Sequence, residues 1–141
     1  FDGWALSTSM AALRTILPMC PDDVRVAAWL RGARHGRARR YPSNGWEPVI
    51  YRPGRTPTAV RIAQEPPADP QVGNPTDVLC YAARPRTTDP RRVTGAKPGA
   101  FARWVFDLLG ALPGDDLIDV FPGSGGVARA WHVYTSGKQS C

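Results

Sequence analysis

Apolar and polar residues change rhythm along this chain, and the changes mark out its elements. "GWALSTS" (3–9) is an apolar run closing in hydroxyl residues and predicts a short buried strand. "SMAALRTILPMCP" (9–21) switches to helical spacing. Ser9 can cap that helix, Leu13, Ile16 and Leu17 supply its apolar face, and Pro21 ends it. "VRVAAWL" (24–30) and "EPVIYR" (47–52) predict two further strands, paired as an antiparallel hairpin with a long tip. Residues 53–75 carry Pro53, Pro57, Pro66, Pro67, Pro70 and Pro75, a density that predicts a loop. "DVLCYA" (77–82) returns to strand character. In "GAFARWVFDLLGAL" (99–112), Phe101, Trp104, Val105, Leu108 and Leu112 form one apolar stripe. Gly110 lies near the end of this helix, and Pro113-Gly114 stops it. "DLIDV" (116–120) predicts a buried strand, and "GGVARAW" (125–131) opens a last helix. Strands alternating with helices in this order predict an α/β sheet with helices on both faces.

Composition narrows the class. At 141 residues with 43% apolar side chains, the chain suits one folded domain with a real core. No apolar run approaches the length of a membrane span, and no signal peptide opens the sequence, so no membrane partner is expected. Cys20, Cys80 and Cys141 are far apart and lack metal-ligand spacing. They predict reduced thiols, a cytoplasmic location and no metal site.

Charge changes the picture more. The net charge is +6, which favours a polyanionic partner. "RGARHGRARRYPSNGW" (31–46) concentrates Arg31, Arg34, Arg37, Arg39 and Arg40 around His35, and no acid occurs from Val24 to Trp46. Arginine forks suit phosphates and guanine edges, while Tyr41 and Trp46 can stack on bases. The expectation is a nucleic-acid-binding loop, DNA before RNA. The competing reading is a solvated loop. A second basic patch runs through Arg84, Arg86, Arg91, Arg92 and Lys97. Trp4, Trp29, Trp104 and Trp131 fall on apolar faces and are expected to pack the core.

The chemistry-bearing stretch is "DDLIDVFPGSGGVARAW" (115–131), a glycine turn between an apolar run and a helix. Glycines let backbone approach a ligand, and a helix start offers free N–H groups and a positive dipole end. A triphosphate loop is excluded, because no lysine follows these glycines until Lys138. A dinucleotide fingerprint is met in spacing by Gly123, Gly125 and Ala128. However, Asp119, Phe121 and Pro122 interrupt the run into the first glycine, and no acid follows Asp119.

"DVFPGSG" closely resembles the D-x-F-x-G-S-G motif of S-adenosylmethionine-dependent amino-methyltransferases of nucleic acids. These are the N6-adenine and N4-cytosine DNA enzymes, with the RNA adenosine-N6 enzymes as relatives. In the circularly permuted members a Lys-Pro pair opens the helix leading into this motif. "GAKPGAFARWVFDLLGALPGDDLIDVFPGSG" repeats that order with Lys97-Pro98. "GWALSTS", "VRVAAWLRG" and "WEPVIYRPG" look like the elements that follow the catalytic loop in the family. The likeness covers residues 95–131 strongly and 3–52 loosely, and is nearest to small site-specific enzymes of bacteria and phages. It implies a Rossmann-like sheet and S-adenosyl-L-methionine as cofactor. It also implies a cofactor site of Lys97, Pro98, Asp119, Phe121, Pro122, Gly123, Ser124 and Gly125. In such a site Asp119 takes the ammonium of the methionine moiety, and the glycine turn takes its carboxylate. The alternative is that Asp119 caps the last helix and the glycines only turn the chain.

The family's catalytic loop has the form [DNS]-P-P-[YFW]. Its oxygens accept the protons of the target amine, and its aromatic ring stacks on the flipped base. "QEPPAD" (64–69), "GNPTD" (73–77) and "TTDPRR" (87–92) each lack part of it. In the permuted order the loop precedes "GWALSTS", so the expectation is that it lies upstream of Phe1. The acid that usually grips the cofactor ribose is likewise absent from "HVYTSGKQSC". A non-catalytic nucleic-acid-binding relative and a dinucleotide-dependent enzyme are the competing functions.

Overall fold

The strand with the most buried residues, "WEPVIYR", sits in the interior of the sheet and organises the rest. The computed structural model describes residues 3–32, 42, 44–56, 59–60, 75–82 and 95–137. Four strands pair in the order β1-β3-β2-β4: β1 (Trp4–Ser7), β2 (Arg25–Leu30), β3 (Trp46–Arg52) and β4 (Val78–Cys80). β3 is antiparallel to β1 and to β2, and β4 adds parallel to β2. The helices are α1 (Met10–Ile16), continued by a 3₁₀ turn at Leu17–Met19, then α2 (Gly99–Leu109) and α3 (Gly126–Gly137). The architecture is α/β, a four-stranded mixed sheet with three helices among the described residues. None of those helices is long and apolar enough to cross a membrane.

Local chemistry explains most of the element boundaries. Ser9 caps α1 as expected, its hydroxyl accepting from Ala12 N at 3.1 Å. Pro18 cannot donate to a continuing α-helix, so the α geometry gives way to the 3₁₀ turn before Pro21. Pro98 stands at the N-cap of α2, its carbonyl accepting from Phe101 N and Ala102 N. α2 closes at Gly110, earlier than the expected stop at Pro113-Gly114. Gly110 is left-handed (φ 69°), with Gly110 N donating to Asp107 O and Ala111 N to Phe106 O. Within the expected proline-rich loop, Ala59 and Val60 are helical, and the Thr56 hydroxyl accepts from Ala59 N. The other residues of that stretch between 57 and 74 lie outside the described residues.

The core has two clusters that share α2. Ala27 and Trp29 of β2 and Val49 and Tyr51 of β3 point to one sheet face, where Phe101, Trp104 and Leu108 cover them. Pro48 and Ile50, turned the other way by strand alternation, are also fully buried, and α1 contacts β3. Trp29 Nε1 donates to Tyr81 O and Trp104 Nε1 to Thr76 O, so both buried indoles are satisfied. Ala102 and Phe106, beside the expected stripe, instead meet α3. There Phe106, Trp131 and Tyr134 form an aromatic cluster with centroids 5.0–5.7 Å apart. α2 is thus buried on two sides, which a single stripe does not foresee.

One predicted element is absent. Residues 116–120 form no ladder with the described strands. Leu117 packs against the Phe106 cluster, while Ile118, Val120 and Phe121 are 84%, 72% and 81% exposed. The alternation is that of a strand, but a strand needs a neighbouring backbone, and none lies alongside among the described residues.

Candidate cofactor turn and cation cluster

The glycine turn forms directly after this unpaired segment. Gly123 and Gly125 have φ of 47° and 71°, a region that side chains with a Cβ adopt only under strain. Gly125 N donates to Pro122 O at 2.7 Å, which closes the turn, and Arg129 N donates to Gly125 O as α3 starts. Arg129 folds back over the turn, Nη1 donating to Ser124 O at 2.8 Å. A Cβ on Gly125 would come within 3.2 Å of that same Nη1.

Asp119 leads into the turn. Its Oδ1 accepts from Phe121 N at 3.2 Å, and its Oδ2 is buried without a hydrogen-bond partner. A buried carboxylate oxygen ordinarily has a donor. A charged N–H donor, an ammonium or a guanidinium, is the type such an oxygen accepts most strongly. The helix-capping reading finds no bond, since Asp119 binds the backbone two residues on rather than the first turn of α3.

Lys97-Pro98 comes to the same place from the other helix. The Lys97 carbonyl oxygen lies 3.6 Å from where a Cβ on Gly126 would stand, and Pro98 is fully buried. The structure therefore sets the Lys97 carbonyl beside Gly126, where α3 starts. Phe121, Pro122 and Gly123 face solvent and Ser124 is half-buried.

The Lys97 side chain turns away from the glycines. Its Nζ lies 2.5 Å from Glu47 Oε2, and 5.0 and 5.3 Å from the ring centroids of Trp29 and Phe101. Arg31 reaches the other oxygen of the same carboxylate, Nη1 to Oε1 at 2.6 Å. Arg31 is the one member of the predicted nucleic-acid set among the described residues. Arg34, Arg37, Arg39 and Arg40 lie outside them.

Sequence reasoning missed Glu47 and Arg129. The signal for Glu47 was present: it is the first acid after the arginine run. Its register opposite Trp29 sets it beside Arg31 once the hairpin is drawn. Arg129 sits four residues after Gly125, one helical turn on, which returns its side chain to the turn. Among the described residues, no group of three His, Cys, Asp or Glu side chains is placed to hold a metal ion.

The chain matches no protein-family model, no curated protein and no solved structure.

Proposed function

We propose that this chain is the cofactor-binding part of an S-adenosylmethionine-dependent methyltransferase acting on an exocyclic amine of DNA, adenine N6 or cytosine N4. The observation that carries this reading is the unpartnered Asp119 Oδ2 beside a turn of two left-handed glycines, with Lys97-Pro98 alongside. The site suits a zwitterionic amino-acid group: one carboxylate for its ammonium, and the positive end of α3 for its carboxylate. Asp119, Gly123, Ser124 and Gly125 would hold that group, with Lys97 and Pro98 forming the adjoining wall. The bound cofactor supplies an electrophilic methyl group. These residues bind and orient; the chain contains no [DNS]-P-P-aromatic tetrad, so none of them is assigned to the transfer itself. The net charge of +6 and the arginine run of 31–40 support nucleic acid as the partner.

The test is calorimetric titration of the chain with S-adenosylhomocysteine, run beside Asp119→Ala and beside a nicotinamide dinucleotide. Saturable binding that weakens about tenfold or more in Asp119→Ala is the expected result. Dinucleotide binding in place of S-adenosylhomocysteine, or no binding by a folded sample, overturns the reading.

A further inference from the structure

Glu47 stands between two cations, and each of its oxygens takes one of them. Arg31, Glu47 and Lys97 are comparably accessible, their side chains 25%, 21% and 26% exposed. Trp29 lies beside both cations, with Arg31 Cζ 6.0 Å and Lys97 Nζ 5.0 Å from its ring centroid. The cluster keeps one positive charge in surplus. It also keeps donors in surplus. Among the described residues, Arg31 Nε is buried without a partner, and Arg31 Nη2 reaches only Asn44 O at 3.5 Å.

A two-oxygen anion spanning a guanidinium and an ammonium is also what a phosphodiester offers. Arg31 leaves the end of β2 as the first arginine of the run, so this cluster lies where the basic loop joins the sheet. We propose that Glu47 is a built-in competitor for backbone phosphate, occupying the place between Arg31 and Lys97 that a phosphate of a bound nucleic acid would take. The proposal rests on the nucleic-acid reading above and adds its regulation. Phosphate gains Arg31 Nη1 and Lys97 Nζ only by displacing a carboxylate already paired with both. Binding at the base of the loop is therefore weaker than the count of cations implies, and it exposes Glu47 as it proceeds. The device restrains sequence-independent attraction to any polyanion while leaving both cations ready.

The experiment is fluorescence anisotropy of a labelled DNA duplex with the full 141-residue chain over a series of KCl concentrations. Glu47→Gln keeps the shape of the side chain and frees both cations. The variant is expected to bind roughly three- to tenfold tighter at low salt. Its slope of log K against log[KCl] should steepen by about 0.9, because the surplus charge of the cluster rises from one to two. Arg31→Gln carries the test independently, since it leaves Glu47 paired with Lys97; its slope should flatten by about 0.9. Wild-type binding with the same affinity and slope in Glu47→Gln overturns the role of Glu47 and leaves the partner reading standing. An unchanged slope in Arg31→Gln overturns it too. No saturable binding by either the wild type or Glu47→Gln overturns both.

Discussion

Arg55 and Asp115 meet fork to fork, Nη1 to Oδ2 at 2.5 Å and Nη2 to Oδ1 at 2.6 Å. Asp115 Oδ2 also accepts from Leu112 N at 2.7 Å, and Arg55 Nη1 donates to Gly110 O at 3.2 Å. One pair thus ties the chain after β3 to the end of α2 and to the segment that leads into the glycine turn. The carboxylate is 10% exposed and the guanidinium 27%, so solvent screens little of it. The hydrogen bonds from Arg55, more than burial opposes them, hold the Asp115 carboxyl below the usual carboxylate range. A depressed carboxyl stabilises the fold at every pH above its unfolded value, near 3.9, and loses that contribution as pH falls through the folded value. Thermal melts between pH 7 and pH 2 are expected to show this acid limb flattened in Asp115→Asn. Arg55→Ala, which leaves the carboxylate without its partner, should lower stability by about 2 kcal/mol at pH 7. An acid limb unchanged by Asp115→Asn would refute the assignment.

Gly110 is required twice over. Its φ is 69°, and a Cβ there would stand 2.9 Å from Arg55 O and 3.0 Å from both Arg55 Cβ and Val60 Cγ2. Gly110→Ala is expected to cost about 2–4 kcal/mol, combining left-handed strain with a backbone clash. Gly99, in the first turn of the same helix, has open space around a Cβ and no positive φ. Gly99→Ala should be neutral or stabilise by up to about 1 kcal/mol. Urea unfolding of the two variants side by side measures the contrast, and equal effects would contradict it.

Tyr134 anchors α3 to α2. Its buried hydroxyl lies 2.9 Å from Asp107 Oδ1 and 3.2 Å from Ala111 O, with one proton to donate between them. Burial first, and the Asp107 charge second, push this phenol well above its ordinary range. A raised phenol stabilises the fold fully below the unfolded value, near 10, and its contribution drains away as pH rises beyond it. Tyr134→Phe should lower stability by about 1 kcal/mol at pH 7 and soften the alkaline decline above pH 10. Denaturation midpoints at pH 7 and pH 11 provide the comparison; a variant that loses stability with pH as steeply as the wild type would disprove the linkage.

What the sequence determined by itself was local. Ser9 as a cap, the helix from Gly99 and the helix after the glycines all follow from side-chain period, capping chemistry and proline. These act over a few residues and need no distant partner. Tertiary structure decided the rest. Lys97 O comes close to Gly126 because α2 and α3 pack side by side. Residues 116–120 alternate like a strand, yet alternation states only that one face is apolar. A ladder also needs a backbone beside it, and the described sheet places none there. That no side chain fits at Gly110, where Arg55 and Val60 would stand about 3 Å from a Cβ, is likewise set from outside the helix. Lys97 and Arg31 read as two separate sites along the chain, 66 positions apart. They share Glu47 only because β2 and β3 pair in one register and α2 begins beside their ends. Period and propensity act along the chain; charge and packing act through space, and only the folded backbone sets those distances.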